Sequence, residues 1–131
     1  MPDKHLSSQF DADLNLICSK LLEMGGLVES QVSIAMRAFT QLDPELADQV
    51  IDRERDVNNF EIEIDSACTE LIARRQPTAR DLRLVMAVSK AITNLERAGD
   101  EADRIARRAK HVMEDSASHV INVAEIRLSS Q

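Results

Sequence analysis

"ARRQPTARDL", residues 73–82, decides how this chain is folded. Pro77 cannot continue a helix arriving from the N-terminal side, and it disfavours the α conformation at Gln76. Thr78 followed by Asp81 gives a capping-box-like start for the next helix. One helix therefore stops and another begins within a few residues, which forces the chain to reverse. Upstream, "LDPE" at 42–45 repeats the device. Asp43 is a plausible N-cap, Pro44 fits the first helical position, and Glu45 suits the positive end of the helix dipole. Two tight reversals cut the chain into three helices.

The apolar pattern on either side of those turns is helical. In the first segment Phe10, Leu14, Ile17, Leu21, Met24, Val28, Val32, Ala35, Phe39 and Leu42 recur at spacings of three and four, a near-heptad seam. Ser8 with Asp11 supplies a start signal, and about 34 residues at ~1.5 Å each make a rod of roughly 50 Å. Gly25 and Gly26 interrupt this rod and suggest a bend or a close crossing with another helix. The second seam runs Leu46, Val50, Val57, Phe60, Ile64, Ala67 and Leu71, and turns polar at Arg53 and Glu54. The third uses Leu82, Val85, Val88, Ile92, Leu95, Gly99, Ala102, Ala106, Ala109 and Met113, and its small second half lets a neighbouring backbone approach. After Met113, "EDSASHVINVAEIRLSSQ" reads as a break followed by a short mixed segment. The fold class is all-α, an antiparallel three-helix bundle over residues 1–113, with 114–131 a tail or the start of a truncated fourth helix.

Composition agrees. Of 131 residues, 44% are hydrophobic and 30% charged, which suits one globular domain with a modest core. Tyr and Trp are absent and Gly and Pro are sparse, which argues against a β-sandwich. A net charge of -7 disfavours nucleic acid as a partner and suits cations or basic protein patches. Cys18 and Cys68 fall inside apolar helical patterns and read as free buried thiols of a reducing cytoplasm. No signal-peptide stretch or membrane-length apolar run is expected from "MPDKHLSSQF" or elsewhere.

The chemistry lies in carboxylates. In "RERDVNNFEIEID", Glu54, Asn58, Glu61 and Asp65 follow at steps of four, three and four. In "TNLERAGDEADRIARR", Glu96, Asp100 and Asp103 follow at four and three. Each set occupies one helix face, where like charges repel. A hard or iron-type cation held between helices would remove that repulsion. The competing account is a solvated face neutralised by Arg53, Arg55, Arg97 and Arg104 as ordinary surface ion pairs. His5, His111 and His119 show no ligand spacing, and the cysteines form no paired zinc motif. Arg104, Arg107, Arg108 and Lys110 read as cations closing a helix C-terminus. Met24, Met36, Met86 and Met113 read as core filler. No nucleophile–base arrangement, phosphate loop or dinucleotide fingerprint is present.

"MGGLVE", "VNNFEIEID", "RRQPTARDLRLVMAVSK" and "LERAGDEADRIARRA" together resemble the PhoU family, from about Ser7 to Met113. The resemblance implies one PhoU-type repeat and a cytoplasmic negative regulator of the phosphate-starvation response. Such a regulator links the phosphate ABC transporter, through its ATPase subunit, to a membrane sensor histidine kinase and restrains uptake itself. It also implies multinuclear metal binding through E(D)-x-x-x-D motifs, which fall here on Glu61 with Asp65 and Glu96 with Asp100. Glu54, Asn58 and Asp103 are adjacent candidates, and the metal could be iron, zinc or magnesium. Typical members carry two tandem repeats and this chain carries one. The uncovered flank predicts self-association. The alternatives are a metal-storing helical domain or a carboxylate-bundle metalloenzyme, and the second is disfavoured because neither acidic stripe contains the Glu-x-x-His ligand pattern.

Overall fold

The computed structural model describes residues 2–129, with side chains from 8 to 128. Three helices account for the fold: α1 (Pro2–Gln41), α2 (Pro44–Arg75) and α3 (Ala79–Ser129). Each packs against the other two. α1 and α2 run antiparallel, as do α2 and α3, so α1 and α3 are parallel. Among the described residues there is no strand.

Both turns form as their residues dictate. Leu42 turns the chain with φ 51°, and the Asp43 carboxylate caps α2 by accepting from the Glu45 and Leu46 amides at 3.0 and 3.3 Å. At the second turn Gln76 is left-handed with φ 45°. The Asp81 amide donates to Thr78 Oγ1 at 3.2 Å, while the Thr78 amide donates to the Asp81 carboxylate at 3.3 Å. That reciprocal pair is the capping box.

The core sits in two parts. Phe10, Leu14, Ile17, Met24 and Val28 of α1 meet Val57, Ile64, Cys68 and Leu71 of α2 and Val85, Val88 and Ile92 of α3. Toward the α1–α2 turn, Ala35, Ala38, Ala47, Val50, Ala102 and Ala106 make a thinner layer. Between them Gln31 is fully buried, and its amide donates to the Val50 carbonyl at 2.7 Å. This bond ties α1 to the backbone of α2.

Several expectations change. α1 is already helical from Pro2, so Ser8 with Asp11 does not start it. Phe39 and Leu42 are exposed, and Ala38 takes the inward place. A helix of 3.6 residues per turn drifts off a strict heptad, which carries the seam from Val32 to Gln31, Ala35 and Ala38. Leu82, Met36 and Met86 are likewise exposed, leaving Met24 as the methionine that fills the core. α1 continues through Gly25 and Gly26, and a Cβ on either would meet nothing within 4 Å. Among the described residues, nothing makes the close crossing they suggested.

The break after Met113 does not occur either. α3 runs on to Ser129 as one helix, although every side chain from Glu114 to Leu128 is exposed. The segment contains neither Pro nor Gly, and its Ser, Asp and Asn residues weaken a helix only by fractions of a kcal/mol. Lys110 pairs with Asp48, so α3 draws level with the α1–α2 turn near Glu114, and the residues beyond project ~22 Å past the hairpin.

Candidate functional site

The polar gap in the α2 seam and the carboxylates of α3 meet. With the two helices antiparallel, Glu54 lies opposite Asp100 and Asp103, and Glu61, nearly two turns along, lies opposite Glu96. The Glu54 carboxyl shares a hydrogen bond with Asp100, and the Glu61 carboxyl shares one with Glu96. Gly99 sits between these pairs. A Cβ there would lie 3.1 Å from Val57 Cγ1, so the absent side chain is what lets α3 press against α2.

Two of these groups hold protons near neutrality. Glu54 is raised from 4.5 to about 7, chiefly by burial, then by the Asp100 hydrogen bond and the charges of Asp103 and Asp100, against Arg107. Glu61 is raised from 4.5 to about 7, chiefly by its hydrogen bond with Glu96, then by burial and the charges of Glu96, Asp65 and Asp100. Protonated, each glutamate donates to its partner across the boundary. Two buried acceptors are left over: Glu54 Oε2 and Asp103 Oδ1 have no hydrogen-bond partner. The other Asp103 oxygen accepts from Arg107 Nε at 2.8 Å.

The structure thus pairs Glu54 with Asp100, with the charge of Asp103 nearby, and pairs Glu61 with Glu96. Asp65 is exposed one turn beyond Glu61, and Asn58 is half-buried on the stripe between Glu54 and Glu61. Among the described residues, no group of three or more His, Cys, Asp or Glu is arranged to hold a metal ion. The donors meet in pairs. The orphaned oxygens and proton-sharing carboxyls fit a cation that prefers oxygen, taking one or two carboxylates with water completing its shell. They do not form a closed protein cage. Of the four arginines named as neutralisers none makes an ion pair with these carboxylates among the described residues; Arg104 binds Glu101 instead. Arg107 fulfils the role, on Asp103.

These pairs make stability depend on pH in a defined direction. Between the unfolded value of 4.5 and the folded value near 7 the native state holds protons that the unfolded chain has lost. Stability contributed by the two glutamates is therefore present at low pH and falls as pH rises through that window. With metal excluded and solvent screening allowed for, the loss from pH 5 to pH 8 should be about 1–2 kcal/mol. Urea midpoints should show it, and the double variant Glu54→Gln with Glu61→Gln should flatten the profile. An equally steep profile in that variant would place the titrating groups elsewhere.

The cations near residue 107 do not close a helix end, since α3 continues to Ser129. Lys110 bonds Asp48 at 2.6 Å, and both its pKa and that of Arg107 are raised, first by the hydrogen bond to the neighbouring carboxylate. Cys18 is half-buried and Cys68 buried; both are free thiols, and burial pushes the Cys68 thiol up. His111 and His119 are exposed on the α3 extension, away from the carboxylates, and the side chain of His5 lies outside the described residues.

The fold and the site together define an all-helical domain, a three-helix bundle with paired carboxylates on the α2–α3 seam. Residues 21–109 match the PhoU domain model. Over 106 residues the chain is 58% identical to the phosphate-specific transport system accessory protein PhoU homolog of Burkholderia sp, covering 81% of this chain and 45% of that one. It is 51% identical over 107 residues to the PhoU accessory protein of Escherichia coli (strain K12), covering 82% and 44% respectively. The crystal structure of PhoU from Pseudomonas aeruginosa superposes with a TM-score of 0.79 at 47% identity, over 81% of this chain and 51% of that one. The chain belongs to the PhoU family, and it spans about half the length of these relatives. Among the described residues no helix is long and apolar enough to cross a membrane.

Proposed function

We propose that this chain is a cytoplasmic, non-catalytic regulator of phosphate uptake and a negative regulator of the phosphate-starvation response. It acts as an adaptor between the ATPase subunit of a phosphate ABC transporter and the sensor histidine kinase of that response. The observation that carries this reading is the 51–58% identity to accessory proteins of phosphate-specific transport systems. Three long helices with wide exposed faces suit docking. Pull-down of the purified ATPase subunit by the chain tests it: specific retention is expected, and no retention of either the ATPase subunit or the kinase removes the adaptor role.

The carboxylate boundary is read as a cation site, with Glu54, Asp100 and Asp103 at one position and Glu61, Asp65 and Glu96 at the next, Asn58 lying between. Iron, zinc and magnesium are the metals in question. Glu54 with Asp100 and Glu61 with Glu96 would hold the cation across the α2–α3 boundary, where it would supply positive charge in place of the shared protons. Elemental analysis of protein prepared without a histidine tag should find metal. Asp100→Ala should lower that content while circular dichroism stays unchanged. Full metal retention in that variant would eliminate the assigned site.

The chain should also self-associate. The face of α3 that carries Gly99, Ala102, Ala106 and Ala109 into the bundle continues past the hairpin as Met113, Ala117, Val120 and Ala124, and Val120 is 66% exposed. Apolar helix surface of this kind is covered in a stable assembly. Light scattering at high concentration should report more than one chain; a strictly monomeric mass would rule this out.

A further inference from the structure

Arg83, Lys90, Arg97 and Arg104 follow one another at intervals of seven residues on α3, with Arg108 one turn later. Seven residues are nearly two helical turns, so these cations line a single ridge ~38 Å long. The ridge lies opposite the buried positions Val88, Ile92, Ala102 and Ala106, and all five cations are exposed. Glu101 is the one acid on it, and it pairs with Arg104 at 3.4 Å. Arg83, Lys90, Arg97 and Arg108 have no ion pair among the described residues. In a chain of net charge -7, this row is segregated from the carboxylates on the α2 flank.

Beside the ridge runs the seam between the parallel helices α1 and α3. It opens into two hollows, one of about 670 Å³ floored by Leu21, Gly25, Gly26, Ala91 and Leu95, and one of about 500 Å³ between Met36, Phe39 and Ile105. Leu22 is 77% exposed, Met36 50% and Phe39 41%. Gly25 and Gly26 weaken α1, yet among the described residues nothing lies within 4 Å of a Cβ built on either. Arg104 and Arg108 line the second hollow, and a seam with an apolar floor, glycines permitting close backbone approach and cations at heptad intervals on the adjoining ridge has the features of a helix-binding site.

We propose that the α1/α3 groove docks an amphipathic helix of a partner protein. The helix lays its apolar stripe on the groove floor and its acidic flank against Arg83, Lys90, Arg97, Arg104 and Arg108. The repeat of seven selects a helix over a flat anionic surface, because carboxylates on one helix flank recur at the same interval. Glu29 on α1 and Glu101 on α3 line the groove and would repel a membrane or nucleic-acid phosphate. This inference rests on the adaptor reading and assigns its docking face.

The full chain should be titrated with the purified ATPase subunit and, separately, with the soluble part of the sensor kinase. Arg97→Glu with Arg104→Glu should weaken the binding of one of them by roughly tenfold or more, and added salt should weaken the wild-type complex. Gly26→Leu should raise the melting temperature, since its added atoms meet no neighbour, and still weaken the same complex comparably. Ile62→Ala, on the exposed face of α2, serves as the control and should bind as wild type. Wild-type affinity in both groove variants overturns the groove proposal and leaves the adaptor reading standing. No binding by the wild-type chain overturns both. Gly26→Leu abolishing only self-association makes the occupant a second copy, and binding of the ridge to phosphatidylglycerol vesicles instead of protein makes it a lipid surface; either result overturns the proposal.

Discussion

Gly99→Leu is expected to lower the unfolding free energy by about 2–3 kcal/mol, a drop of roughly 10 °C in melting temperature. Any side chain at this position starts 3.1 Å from Val57 Cγ1 and 3.9 Å from Val28 Cγ2, both on buried residues. Leucine would push α3 away from α1 and α2, and better helix propensity returns only about 1 kcal/mol. Gly99→Ala should stay within about 1 kcal/mol of wild type, because propensity and the tight contact oppose each other. The same displacement separates Glu54 from Asp100. The pH dependence between 5 and 8 should therefore shrink in the leucine variant together with its stability. A Gly99→Leu protein that melts with the wild type would mean that α3 is not held at this distance.

Ile64→Ala should cost more, about 3–4 kcal/mol. Ile64 is fully buried in the main cluster, where α2 faces both other helices, and its truncation leaves a cavity that three rigid rods cannot close. Ile62, two residues earlier, is 67% exposed, and Ile62→Ala should change stability by no more than about 0.5 kcal/mol. The pair makes a sharp comparison because composition treats the two isoleucines alike. Chemical denaturation of both variants measures it, and equal losses would show that α2 is rotated from the orientation described.

Much of this was readable in the residues. Asp43 with Pro44 and Thr78 with Asp81 are local devices, so their turns could be placed without knowing what packs where. Val57, Ile64, Val88 and Ile92 followed from periodicity, since the middle of a long seam tolerates a small error in phase. Errors gathered toward the ends. Phe39, Leu42 and Leu82 lie where the helix has drifted off the heptad or the bundle gives out, and there an apolar residue can face water at little cost. The extension of α3 runs against its polar composition, because Ser, Asp and Asn weaken a helix only slightly and only Pro or Gly stops one with force. The heptad row of Arg83, Lys90, Arg97 and Arg104 is a matter of spacing, but that it faces away from the core is settled by how α3 packs.

For the carboxylates the division is sharper. That Glu54, Glu61, Glu96, Asp100 and Asp103 occupy single helix faces follows from spacing, because 3.6 residues per turn is a property of the backbone. Which carboxyl faces which does not follow. The tight turn at Gln76 and the missing side chain at Gly99 bring α2 and α3 into one register, opposing Glu54 to Asp100 and Glu61 to Glu96. Only that proximity, with the burial it causes, lifts two glutamates toward neutrality and strands the oxygens of Glu54 and Asp103. Interactions between charges depend on distance and solvent access, and tertiary packing alone sets both.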